Sequence, residues 1–198
     1  MGENAAVCIA GVMSFDDALG LVCLRGELFE QVPEGRMVSV SMESDRFREF
    51  AREGLSLATI NAPQLCTVSG SMTAVSEFCA ALDARGIDYQ PIPISIAAHS
   101  QLLEPILPRF RAYLESIPLK PPRIPIQSNL TGGWLTDEQA TSPAYWVSHL
   151  RGTVRFAANV GLVLEQQNPL FLELGPGRIL SSIVGANDLK QRGRVFNT

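Results

Sequence analysis

The chain holds two histidines, and one of them, His99, stands in the stretch ISIAAHSQLL. An imidazole titrates near pH ~6.5, so it can take and return a proton at neutral pH. Two alanines precede it and clear space around the ring, at the end of an extended run and the start of an amphipathic one. A general base also needs an acceptor on its other ring nitrogen, and a strand end such as QSNL offers a backbone carbonyl. The competing reading is a structural histidine that caps a turn. No serine or cysteine in a nucleophile motif accompanies it.

Arg25 is the second candidate. Its neighbours Leu21, Val22, Cys23, Leu24 and Gly26 are apolar or small. An arginine there is either snorkelling to solvent or holding an anion in a cleft, where its planar fork suits a carboxylate. The stretch ELGPGRILSS reads as a strand, a tight glycine turn and a helix start. Such a turn can cradle phosphate, but the spacing of a nucleotide-binding loop is absent. His149, beside Tyr145 and Trp146, reads as a packing histidine.

The elements that must position these residues follow from periodicity. Ala5, Ala6, Cys8, Ile9 and Val12 fit one face of a first helix, which Gly11 ends. Ser14 is an N-cap for a second helix running to about Glu30, with Asp16 and Asp17 in its first turn and Phe15, Ala18, Leu19, Val22, Cys23 and Phe29 as its apolar set. Then come the strand RMVSVSM, a short capped helix closed by Gly54, and two β-rich runs hinged at Pro63. A helix capped by Thr73 and ended by Gly86 leads to the extended run IDYQPIPIS. The order β-α-β-β-α-β is that of a ferredoxin-like unit. Beyond it the pattern predicts a proline-interrupted helix from Ser100, a strand RIPIQSNL, a loop and then a helix within residues 137–167, and a buried strand in NPLFLEL. The unit thus lies between two pieces of something larger, dividing the chain into 1–35, 36–96 and 97–198.

Composition bounds the function. The chain of 198 residues is 46% hydrophobic and 18% charged, with a formal net charge of −4. That is globular composition. No basic stripe suits nucleic acid, no apolar run approaches the ~20 residues of a membrane span, and no basic leader opens the sequence. Cys8, Cys23, Cys66 and Cys79 form no C-x-x-C pair and read as buried free thiols of a reducing cytoplasm. Zinc-ligand spacing is absent, so no metal is expected.

Five blocks carry a resemblance that runs the whole length: GENAAVCIAGVMSFDDALGLVCLRGELF, GLSLATINAPQLCTVSG, IAAHSQLLEPILPRF, PPRIPIQSNLTGGWLTDEQATSPAYWVSHLRGTVRF and FLELGPGRILSSIV. The sequence resembles the acyltransferase domains of modular type I polyketide synthases and, more distantly, the malonyl-CoA:acyl carrier protein transacylases. The resemblance implies an α/β fold: the C-terminal part of an α/β-hydrolase-like large subdomain with an inserted ferredoxin-like subdomain. It implies a Ser-His dyad that moves an acyl group from coenzyme A to serine and then to the phosphopantetheine thiol of an acyl carrier protein. No cofactor is implied beyond that thioester substrate and the carrier's phosphopantetheine. The implied partners are the acyl-CoA, malonyl or substituted malonyl, the carrier protein and neighbouring synthase domains.

His99 falls on the family's catalytic histidine, Arg25 on its carboxylate-binding arginine, and Asn129 where a backbone carbonyl orients the histidine. The family nucleophile lies in a G-H-S-x-G-E motif. MGEN aligns with x-G-E, so the serine would precede Met1, whose backbone N–H would be an oxyanion donor. The expectation is a truncated domain that does not acylate itself alone. Members selecting malonyl often show H-A-F-H and those selecting methylmalonyl Y-A-S-H, where this chain has Ile96-Ala97-Ala98-His99. Ile96 and Ala98 become candidate specificity residues, with Ala98 opening room for a 2-substituent. Two other readings stay open. One is an inactive remnant or a docking module for carrier protein or ketosynthase. The other is an acyl hydrolase, against which Arg25 weighs.

Overall fold

The computed structural model describes residues 2–188 and 194–198. Helices α1 (Gly2–Ile9) and α2 (Phe15–Phe29) open the chain. Gly11, at φ +80°, turns the chain between them, and the Ser14 hydroxyl accepts the Asp17 N–H to cap α2. Strands β1 (Gly35–Val40), β2 (Leu55–Ala62), β3 (Leu65–Ser71) and β4 (Tyr89–Ile92) form one sheet in the order β2-β3-β1-β4, with every neighbouring pair antiparallel. Pro63 and Gln64 make the two-residue turn between β2 and β3. Between β1 and β2 the expected helix is a 3-10 turn, Ser44–Glu49, with no buried residue. Helix α3 (Met72–Asp83) covers the sheet through Val75, Phe78 and Leu82, packed with Val38, Val40 and Val68 in a core of their own. Its cap is Ser71, which accepts the Ala74 N–H, rather than Thr73.

After the sheet, the 3-10 segment Gln101–Ile106 runs into α4 (Leu107–Ser116), followed by α5 (Asp137–Ala140), α6 (Pro143–Arg151) and α7 (Phe156–Leu164). A second core joins α1, α2, α4 and α6 around Val7, Leu21, Leu28, Leu103, Leu114 and Trp146. RIPIQSNL is no strand: it makes only the isolated bridge Gln127↔Trp134. Pro121, Pro122 and Pro125 supply no ladder donors in this stretch. Strands β5 (Phe171–Glu173) and β6 (Val195–Asn197) pair in parallel and flank α8 (Ile179–Asn187). The expected burial of β5 fails, since Leu172 is exposed.

The apolar faces assigned to the first two helices also need correction. The core takes Val7 from α1 and Ala18, Leu21 and Leu28 from α2, while Ile9, Phe15 and Leu19 are exposed. Of the expected sets Val12 and Ala18 are buried and Cys8 and Phe29 pack against the core, whereas Ile9, Phe15 and Leu19 face solvent and the buried Val7, Leu21 and Leu28 stand outside those sets. Of the cysteines only Cys66 is buried; Cys8 and Cys79 are half-buried and Cys23 is exposed.

The rest of the chain meets the sheet along β2, an edge strand. The Ile60 N–H donates to the Val154 carbonyl and the Val154 N–H to the Ala58 carbonyl, both at 2.8 Å. Asn187 Nδ2 donates to the Asn61 carbonyl at 2.7 Å. An edge that would otherwise expose unpaired backbone groups is thus covered by the chain itself.

Candidate functional site

His99 lies in the turn that leaves the sheet, with φ +58°, a left-handed conformation that costs a non-glycine residue of order 1 kcal/mol or more. Small contacts hold it there. The Ser100 hydroxyl donates to the Ala97 carbonyl (2.7 Å) and accepts the Leu102 N–H (3.2 Å). Ala97 is buried against Gly35, where a Cβ would come 2.6 Å from the Ala97 Cβ and 2.8 Å from the Gly70 carbonyl. The alanines before the imidazole therefore do more than clear space, because Ala97 seats the turn on the start of β1.

The ring faces a cavity of about 300 Å³. Arg25 from α2, Glu3 from α1 and His149 from α6 line its polar side, with Asn61 and Asn129. Phe110, Leu150, Val154, Phe156, Leu180 and Ile183 form its apolar walls. Arg25, on the third turn of α2, carries its guanidinium 4.9 Å from the centre of the Phe29 ring. Burial lowers its proton affinity from the ordinary value, yet an arginine stays charged at any physiological pH. Burial, then repulsion from His149 and Arg25, pulls His99 down to about 4, with the Gly152 backbone opposing the fall. At neutral pH the imidazole is therefore unprotonated and able to accept a proton. Its Nδ1 is buried and makes no hydrogen bond among the described residues.

The structure brings His99, Arg25 and Asn129 into one cavity, although they are far apart in the chain. The Asn129 carbonyl accepts the Arg155 N–H at 2.7 Å. Ile96 packs against the main core, and neither it nor Ala98 is among the cavity walls. Met1 lies outside the described residues.

Glu3 and His149 were not legible as site residues. His149 does stack on Tyr145 (6.4 Å between ring centres) as a packing histidine would, but its Nε2 also lies 2.8 Å from Glu3 Oε2. No spacing rule links an acid at the start of a chain to a histidine 146 positions later. The glycine turn of ELGPGRILSS is settled as well. The Glu173 carboxylate accepts the N–H groups of Leu180 (3.1 Å) and Ser181 (2.9 Å), so the start of α8 is occupied by the chain's own anion. The Ser181 hydroxyl, its strongest partner, helps to hold that carboxyl below the usual range.

Among the described residues no group of three or more His, Cys, Asp or Glu is placed to hold a metal ion. No helix among them is long and apolar enough to cross a membrane.

Comparison with known proteins places this arrangement. The profile of the acyl transferase domain family matches residues 1–190. The polyketide synthase GfsA of Streptomyces halstedii is 35% identical over 188 residues, covering 93% of this chain and 2% of the synthase. The crystal structure of the acyltransferase domain of SpnD, in complex with 2-(pent-4-yn-1-yl)malonyl, superposes with a TM-score of 0.92 at 41% identity, covering 100% of this chain and 48% of that one. The acyltransferase domain of ZmaA gives a TM-score of 0.92 at 36% identity, covering 100% of this chain and 46% of that one. The chain spans about half the length of these solved domains and a small part of the synthase.

Proposed function

This chain belongs to the acyl transferase domain family, in its polyketide synthase branch, and we propose that its cavity serves transfer of a malonyl-type acyl group from coenzyme A to the phosphopantetheine thiol of an acyl carrier protein. The observation that carries this reading is one cavity lined by a neutral, desolvated imidazole and a charged guanidinium together with apolar walls.

Each group has a role its chemistry suits. His99 takes the proton from the attacking nucleophile, first a hydroxyl and then the carrier thiol, and returns it to the departing group. Arg25 pairs its fork with the free carboxylate of the dicarboxylic acyl group, which orients the thioester carbonyl toward the base. Phe110, Leu150, Phe156 and Ile183 give a 2-substituent an apolar lining. The substituted malonyl bound by the SpnD domain is of this class. Ile96 and Ala98 remain candidate specificity positions on the resemblance alone, since neither lines this cavity. We read residues 36–96 as the ferredoxin-like insertion, on the strand order β2-β3-β1-β4 and the covering α3. Residues 1–35 and 97–198 are then parts of the α/β-hydrolase-like body.

Calorimetric titration with malonyl-CoA and acetyl-CoA tests the carboxylate anchor without requiring turnover. The chain is expected to bind malonyl-CoA at least tenfold more tightly, about 1.4 kcal/mol, and Arg25→Ala to erase the difference. Equal affinity of the unaltered chain for both thioesters would sink the reading.

A further inference from the structure

Glu3 is a carboxylate with only 7% of its surface exposed, and a buried charge must find partners. Its partners come from three directions. Oε2 accepts the Asn129 N–H at 3.1 Å and lies 2.8 Å from His149 Nε2. Oε1 lies 3.3 Å from the Tyr145 hydroxyl, which also donates to Ser128 Oγ at 2.6 Å. That serine, fully buried, accepts the Thr131 N–H at 2.9 Å. One carboxylate therefore ties together the start of α1, the turn at 128–131 and helix α6.

Each tied segment also walls His99. Asn129 lines the cavity, and its carbonyl holds the Arg155 N–H. Helix α6 ends at Arg151 with Gly152 as its cap, and its His149 and Leu150 line the cavity with His99. That end has no slack, for a Cβ on Gly152 would sit 2.6 Å from Leu130 Cδ1 and 2.8 Å from the Ser148 carbonyl. A shift of α6 or of the turn would move the surroundings of the imidazole directly.

We propose that the Glu3–His149 pair is a positioning clamp for His99, fixing α1, the 128–131 turn and the end of α6 at one buried point so that the imidazole keeps its place. The clamp acts through its neighbours and does not touch the reacting atoms. The inference rests on His99 being the base, but its test reads the imidazole itself rather than catalysis.

With two histidines in the chain, the His99 ring signals identify themselves once His149 is replaced. Glu3→Gln and His149→Phe are expected to shift the His99 imidazole 15N resonances at neutral pH. His149→Gln, whose amide can donate to the carboxylate from about the same place, is expected to leave them near their original positions. If either disruptive variant fails to fold, Tyr145→Phe, which deletes one hydroxyl from the cluster, carries the same expected shift. Unmoved His99 resonances in folded Glu3→Gln, His149→Phe or Tyr145→Phe, with only a lower unfolding temperature, would mean a purely structural pair and overturn the proposal. A result in which His149→Gln shifts the signals as far as His149→Phe would overturn it too. Absence of a malonyl preference would strike the substrate reading and leave these outcomes standing.

Discussion

The His99 imidazole is kept uncharged by its surroundings, and that has a consequence for stability. Its folded-state value of about 4 lies below the ~6.5 of an unfolded chain. As pH falls, the unfolded chain takes up the proton first, so stability is full above pH ~6.5 and declines toward pH ~4. A shift of this size is worth at most about 3 kcal/mol. Urea unfolding across pH 8 to 4 should therefore show a steeper acid loss in the unaltered chain than in His99→Asn. Parallel curves for the two proteins would contradict the placement of the ring. Arg25 contributes to that depression and stays charged itself. The thiols differ in the same physical terms. Burial pushes Cys66 up to about 11, while Cys23 is exposed.

At the scale of elements, the capping of α3 separates what a residue pattern suggests from what geometry allows. Ser and Thr are both good caps, and Ser71, Met72 and Thr73 stand together in sequence. β3 runs through Ser71, and its backbone at φ −62°, ψ 156° is the extended conformation a cap needs. Ser71→Ala should cost about 1 kcal/mol in chemical denaturation, whereas Thr73→Ala, one residue inside the helix, should cost only a few tenths. The reverse ranking would place the cap where the sequence pattern puts it. The loss of the expected helix at Ser44–Glu49 has a comparable cause. Only Phe47, half-buried, packs against the sheet's core, and the exposed pairs Arg46–Glu49 and Arg85–Glu49 add little by themselves.

Across the whole molecule, α1 and α2 are apolar on two sides and the parallel pair β5–β6 is open to solvent. Ile9, Phe15, Leu19 and Leu174 line a shallow apolar groove, and Leu172 and Phe196 of the β5–β6 pair are exposed as well. Parallel strands are ordinarily covered on both faces. A contiguous exposed patch of this kind promotes association. The 198-residue chain is therefore expected to self-associate in light-scattering measurements at micromolar concentration. The double variant Ile9→Lys, Leu19→Glu should raise the monomer fraction without lowering stability by more than about 0.5 kcal/mol. An unaltered chain that stays monomeric would show the groove to be harmless.

What the sequence determined by itself was local or patterned. Ser14 capping α2, the turn at Pro63, the order of strands around α3 and the helix after the glycine turn all follow from rules that act within a few residues. His99 and Arg25 stood out because their residue types clash with their apolar neighbours, and the resemblance was carried by whole blocks. The tertiary structure decided which of two apolar helix faces is buried, since periodicity marks a face but not what covers it. It also decided that RIPIQSNL has no ladder, because a strand exists only with a partner. Above all it brought Glu3 to His149 and both to the cavity that His99 faces. A buried charge is compensated by whatever the fold places about 3 Å away, and no spacing along the chain records that.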